Sequence, residues 1–205
     1  MIRQTSCAWR VVLGGLLLLA LPVSSAAQAT PRAEFSAGWR LLHATVVSDE
    51  GGETFPAGWY ADIAVNVTDA IALVGDVAGA YKTHEESISE GGVRVDASVD
   101  EKVHTFMGGA RFSSRRNARI TPFAQVLAGV ARVDIRLEGS GTFGGQTINF
   151  DESESENEFA FEAGGGVNLR LTDAIGVRAY GSYIRIGAED GGNGFRFGAG
   201  LVFPF

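Results

Sequence analysis

The sequence predicts an all-β fold, an eight-stranded antiparallel up-and-down transmembrane β-barrel, and three observations carry that prediction. Apolar and polar residues alternate in eight segments, roughly 34–43, 56–67, 70–82, 101–112, 120–133, 158–170, 174–186 and 194–205. A period of two marks a strand with two unlike faces. The connections also alternate in length. Thr68-Asp69, "SSRRNAR" (113–119) and Leu171-Thr172-Asp173 are short, whereas 44–55, 83–100, 134–157 and 187–193 are mostly longer and acidic. Finally, large apolar side chains gather on one face of each strand and mid-strand charges on the other. Tight turns at one end, loops at the other and greasy outer faces are the features of a barrel in a bilayer.

The N-terminus sets the compartment. Arg3 and Arg10 flank the start of a charged and then apolar stretch, with Val11 to Leu21 ("VVLGGLLLLAL") uninterrupted. Ala27 and Ala29 in "SSAAQAT" fit a small-x-small cleavage pattern, so residues 1–29 read as a secretory signal peptide and 30–205 as one barrel domain. The apolar run is shorter than the about 20 residues a spanning helix needs. Cys7 lies inside the leader, which leaves the mature chain without disulfides. A net charge of −7 offers no basic surface for nucleic acid.

Each segment has at least the about 9–11 residues that a tilted spanning strand needs. The first sets Phe35, Ala37, Trp39 and Leu41 against Glu34, Ser36, Gly38 and Arg40. The second sets Trp59, Ala61, Ile63 and Val65 against Tyr60, Asp62, Ala64 and Asn66. The third opposes Ile71, Leu73, Val77 and Tyr81 to Ala72, Val74, Asp76 and Ala78, and the fourth opposes Phe106, Ala110 and Phe112 to Thr105, Met107 and Arg111. The fifth is ambiguous: Ile120, Pro122, Ala124, Val126 and Val130 face out only if Phe123 and Leu127 face in beside Gln125. The sixth places Phe159, Phe161, Ala163, Val167 and Leu169 opposite Glu158, Glu162 and Asn168. The seventh and eighth place Ile175, Val177, Ala179 and Tyr183 opposite Arg178, Tyr180 and Ser182, and Phe195, Phe197, Leu201, Phe203 and Phe205 opposite Arg196 and three small residues. "VNVTDAIAL" (65–73) and "VNLRLTDAIGV" (167–177) echo each other, and both Thr-Asp pairs fall at short turns, where Thr and Asp bond to nearby backbone.

The polar faces bring together Glu34, Asp62, Asp76 and Glu162 with Arg40, Arg111, Arg178 and Arg196. Charges at mid-strand cost about 2–4 kcal/mol on a lipid face. They belong in a narrow lumen, where each must find a partner, so these eight residues are expected to form a lumenal ion-pair network. Trp59, Tyr81, Phe106, Phe159, Tyr183 and Phe195 fall near the loop end, and Phe35, Phe112, Phe203 and Phe205 near the turn end. Two aromatic bands at two heights read as interfacial girdles.

With its signal peptide, eight-strand rhythm, Thr-Asp turns and terminal "GLVFPF", the chain resembles the small eight-stranded outer-membrane β-barrels, a family that includes the OmpA transmembrane domain, OmpX and the opacity proteins. The resemblance implies location in the bacterial outer membrane, contact with its lipid and lipopolysaccharide, and a terminal signal for the barrel-assembly machinery. Leu201, Phe203 and Phe205 match that signal, while Pro204 departs from the usual pattern. A likeness of architecture says little about substrate.

Two functional expectations stand beside each other. One is a non-enzymatic, monomeric envelope protein, sealed by its ion pairs and meeting an extracellular partner through loops 83–100 and 134–157, whose alternation continues as projecting hairpins. The other is a small porin-like channel. An enzyme is disfavoured: His43, His84 and His104 stand in no His-Ser-acid arrangement, and no phosphate-binding glycine loop occurs. Neither a cofactor nor a specific metal is expected. The acids Asp49, Glu50, Glu53, Glu85, Glu86, Glu90 and "DESESENE" (151–158) match no EF-hand spacing and read as solvated faces, with loose divalent bridging left open.

Overall fold

The computed structural model describes residues 30–45, 52–90, 93–117, 119–143, 146–187 and 192–205. The expected signal peptide (1–29) and the loop acids Asp49 and Glu50 lie outside the described residues. Nine strands follow in order: β1 (Ala33–Thr45), β2 (Glu53–Phe55), β3 (Ala57–Asn66), β4 (Ile71–Glu90), β5 (Val93–Ser113), β6 (Ile120–Phe143), β7 (Gln146–Arg170), β8 (Gly176–Ile186) and β9 (Asn193–Pro204). All pairings are antiparallel, and β9 returns to β1 from Glu34↔Pro204 to Thr45↔Asn193, closing the sheet into a ring. The Phe205 N–H also donates to the Ala33 carbonyl at 2.9 Å. Strands β2 and β3 both pair with β1 and are separated by Pro56 alone, so they form one stave and the barrel has eight.

Pro56 breaks that stave because it has no N–H for the ladder. Its position shifts the register. Trp39 faces Trp59 across β1 and β3, yet Leu42 faces Phe55 across β1 and β2, so residues 56–58 span what 40–41 span on β1. One extra residue on one strand is a β-bulge, and it re-aims the side chains beyond it. Phe55 therefore points into the lumen and is buried.

The three short turns share one device. The Thr68 hydroxyl accepts the Ala70 and Ile71 N–H groups at 3.2 and 3.0 Å, and the Thr172 hydroxyl accepts those of Ala174 and Ile175 at 3.2 and 3.0 Å. In the third turn Asn117 Oδ1 accepts from Arg119 and Ile120 at 2.8 and 3.2 Å. A side-chain oxygen reaching two and three residues ahead imitates a backbone turn. The sequence echo thus marks two real copies of one turn. Thr does the capping, while Asp69 instead accepts the Thr30 hydroxyl at 2.7 Å.

The faces divide as alternation predicts, and β6 resolves the ambiguous segment: Phe123, Gln125 and Leu127 are buried inside while Ile120, Val126 and Val130 are exposed outside. Strand lengths are less even than the sequence reading made them. The segments expected to end at 82, 101, 133 and 158 run on without a register change to Glu90, Val93, Phe143 and Gln146. Half of the barrel is therefore built of strands of 20, 21, 24 and 25 residues, against 10–13 for β1, β3, β8 and β9.

Two expected outcomes test this geometry. Thr68→Val and Thr172→Val, which keep the shape and delete the caps, each lower unfolding stability by about 0.5–1.5 kcal/mol, read from urea titrations of the refolded protein in lipid. Val77→Arg, on the outward face near mid-strand, costs about 2–4 kcal/mol in the same assay, and an unchanged midpoint contradicts the lipid-facing assignment.

Candidate functional site: the lumen and the projecting sheet

All eight charges picked out by alternation lie on the lumen face, each less than 7% exposed. Asp62 is opposite Asp76 in register, a like-charged cross-strand pair that is unfavourable unless each carboxylate has its own cation. Three arginines supply them. Arg40 donates bidentately to Asp76 at 3.1 and 2.9 Å. Arg111 reaches Asp62 Oδ1 at 3.1 Å, and Arg178 reaches Asp62 Oδ2 at 2.5 Å. The Ser36 hydroxyl donates to the same Oδ2 at 2.5 Å.

The side chains stack in two tiers. Toward the turns, the Arg111 and Arg178 guanidinium groups lie 4.9 and 5.0 Å from the Phe123 ring centre, and Gln125 and Asn168 accept from Arg111 and Arg178 at 2.8 Å each. Arg178 also approaches Glu34 at 3.7 Å. In the middle, the Arg40 guanidinium lies 5.0 and 5.2 Å from the Tyr60 and Tyr180 ring centres and donates to the Tyr180 hydroxyl. The two rings meet edge to face at 5.2 Å. Gly198 and Gly200 make room for them, since a Cβ there would collide with the Tyr180 ring and crowd the Tyr60 hydroxyl. Arg196 pairs with Glu162 at 2.8 Å and with the Thr105 hydroxyl at 3.4 Å.

Two lumen features escaped the sequence reading. Arg115, from the turn between β5 and β6, bends into the turn-side mouth and meets Glu34 at 2.8 Å, Asn66 at 3.0 Å and the Asp69 carbonyl at 2.6 Å. At the other end the lumen is apolar. Leu42, Phe55, Ala80, Val103, Ala131, Ala160 and Ile184 cluster there, with Ala44, Val133 and Ile186 against them. Arg196 is opposite Leu42 in register, and Glu162 is opposite Ile184, so that ion pair borders the apolar cluster.

Outside, the aromatic residues face away from the lumen. Trp59, Phe106, Phe159, Tyr183, Phe195, Phe35 and Phe112 are exposed, and Tyr81 and Phe203 are half-buried. At the long-hairpin end the Trp59 indole donates to the Tyr81 hydroxyl at 2.9 Å, which contacts His104 Nε2 at 3.1 Å. Trp39 joins this band, its indole donating to the Pro56 carbonyl at 2.9 Å. At the turn end Phe35 stacks on Phe203 at 6.3 Å. Leu201 and Phe205 are exposed on the same outer face.

Beyond the barrel, β4 to β7 continue as a four-stranded sheet. Its outward face is polar: Thr83 donates to Asp100 at 2.6 Å, and Arg136 bridges Asp151 and Glu138 at 2.9 and 2.8 Å. That hydrogen bond from Arg136 holds the Asp151 carboxyl below its ordinary pKa. Its lumen-side face carries Val99, Ile135, Leu137 and Phe150 together with Glu152, Glu154, Glu156 and Glu158. Lys82 pairs with Glu53 at its base. His43 contacts the Thr54 hydroxyl at 2.8 Å. Among the described residues no three His, Cys, Asp or Glu side chains converge as a metal site.

A closed antiparallel ring with a charged lumen and an apolar, aromatic-banded exterior defines a membrane-spanning barrel. The chain belongs to the outer membrane protein beta-barrel domain family, which it matches over residues 13–203, and it is a protein of the bacterial outer membrane. In structure it is similar to Ail, the attachment invasion locus protein of Yersinia pestis, with a TM-score of 0.51 at 18% identity, covering 85% of this chain and 99% of Ail. It is also similar to Neisserial surface protein A, with a TM-score of 0.52 at 14% identity, covering 88% and 100%. No curated protein sequence matches it.

Asp62 is the carboxylate on which the network turns, since two buried arginines depend on it. Asp62→Ala leaves Arg111 without a carboxylate and Arg178 with only its longer approach to Glu34, and is expected to cost about 3–5 kcal/mol, read as a lowered urea midpoint of the heat-modifiable band. Gln125→Ala, which removes a neutral acceptor from Arg111, costs less.

Proposed function

We propose that this chain is a non-enzymatic barrel whose lumen is closed to solutes and whose role is to hold the β4–β7 sheet at the cell surface, the mature protein beginning near Thr30. The observation that carries this reading is the filling of the lumen. The Arg40 guanidinium packed against both Tyr60 and Tyr180 occupies mid-height, Arg115 occupies the turn-side mouth, and the apolar cluster around Leu42 and Phe55 occupies the other. Eight staves leave an interior just wide enough for side chains. Water and ions would have to cross charge that is already paired and then an apolar constriction.

In this reading the turns face the periplasm and the long hairpins face outward, where the aromatic bands meet lipid and lipopolysaccharide. Leu201, Phe203 and Phe205 serve the barrel-assembly machinery during insertion, and the finished protein is a monomer that contacts a partner through 83–100 and 134–157.

A small channel is the competing function, and single-channel conductance separates the two. The refolded wild type is expected to be silent in a planar bilayer. Asp76→Ala, which removes the carboxylate that holds Arg40 at mid-height, and Arg196→Ala, which breaks the pair bordering the apolar cluster, are expected to leak. Steady channels in the wild type overturn the closed-lumen reading and make small-solute diffusion the function.

A further inference from the structure

The projecting sheet has a free edge. Strand β7 pairs with β8 from Arg170↔Gly176 to Ala160↔Ile186, and the Phe159 carbonyl takes one further bond from Gly187. From Glu158 to Ile148, among the described residues, β7 pairs with β6 alone. On the order of 35 Å of strand therefore offers one row of N–H and C=O groups to a further strand. Such an edge is a template for an added strand.

The side chains on that edge state which strand it takes. Counting in twos from buried Ala160 and Glu162, the residues Glu158, Glu156, Glu154 and Glu152 share the lumen-side face. None of the four makes an ion pair among the described residues, in contrast to Asp151 on the other face, which Arg136 holds. Each stands beside an apolar neighbour on β6: Glu158 by Ala131, Glu156 by Val133, Glu154 by Ile135 and Glu152 by Leu137. A carboxylate flanked by aliphatic surface suits a lysine or arginine, whose stem lies on the apolar part while its head meets the acid. The outward-facing set, Asn157, Ser155 and Ser153, is small and neutral and tolerates many side chains.

We propose that the β7 edge binds an extended polypeptide segment that carries lysine or arginine at every second position, by strand addition. The spacing of same-face residues in a strand, roughly 7 Å, is the same for partner and edge, so four cations in alternate positions meet four glutamates in one register. A second copy of this chain is a poor occupant. Edge-to-edge pairing of two β7 strands sets glutamate against glutamate, and the free part of β4 carries Glu85 and Glu86, with Lys82 already held by Glu53. The inference rests on the surface-display reading above and names the partner that reading leaves open.

The test uses the refolded full barrel in lipid nanodiscs and three synthetic octapeptides of equal charge. One alternates lysine and threonine, one gathers its lysines in a block, and one is the alternating peptide N-methylated at every second amide. The alternating peptide is expected to bind and to protect β7 amides from hydrogen exchange. The other two are expected to bind at least about tenfold more weakly, as is the alternating peptide to the Glu154→Lys/Glu156→Lys variant. Equal binding of all three peptides reduces the edge to an unspecific acidic surface and overturns the proposal. So does concentration-dependent dimerisation without peptide binding, which makes the edge a contact between copies.

Ser155→Cys in intact cells keeps the two readings apart, because Cys7 is the one native cysteine. Labelling by an impermeant maleimide with no peptide binding sinks the cationic-strand proposal alone. Absence of labelling in a heat-modifiable, folded variant sinks surface display as well.

Discussion

The two oxygens of Asp62 hold the barrel's interior together. One accepts from Arg111, and the other from Arg178 and Ser36, so four strands are joined through one carboxylate. Two buried guanidinium groups are tolerable because of it, and those groups in turn hold Gln125, Asn168 and the Phe123 ring. An isolated charge at this depth would be prohibitively costly, and a paired one is close to neutral. The network therefore specifies which strands face each other more than it adds net stability. Arg40 with Asp76 and Arg196 with Glu162 repeat the same logic one tier further along.

Most of the lumen was legible because alternation is a strict rule in a closed sheet. Once Phe35 and Trp39 face lipid, Glu34 and Arg40 have nowhere else to point. What could not be read was whatever breaks the period or comes from outside a strand. Phe55 lies beyond a bulge, so parity counted from Tyr60 places it on the wrong side. Arg115 sits in a turn, and nothing in "SSRRNAR" says which of its three arginines folds inward. Asn117 caps its turn as Thr68 does, although the surrounding residues share no echo with the Thr-Asp turns. The apolar end of the lumen was hidden because Leu42 and Ile184 each follow a large outward-facing residue, Leu41 and Tyr183, and such a doublet gives no sign of face. The pairing of specific acids with specific arginines was equally out of reach, since it depends on stagger between distant strands.

The barrel is lopsided by construction. Where β8 and β9 end near the aromatic band, β4 to β7 continue in unbroken register for a further 9–14 residues or so. The lumen acids Asp76 and Glu162 and the projecting sheet thus share the same backbones. Stability of the two regions has different sources. The ring below is fixed by closure and buried pairs, while the sheet above relies on strand pairing, the Arg136 bridges and one-sided apolar contacts such as Phe150 over Gly139.

The bulge at Pro56 has an effect on how this chain can change over time. Elsewhere in a strand, gaining or losing one residue turns every side chain beyond it inside out. The β2–β3 stave already carries one residue more than its slots require, and removing Pro56 would bring Phe55 into an unbulged position still opposite Leu42. This short stretch is therefore a spanning segment where a single-codon deletion leaves the inside and outside of the wall as they were. The barrel has a built-in place to absorb a length change without losing its phase.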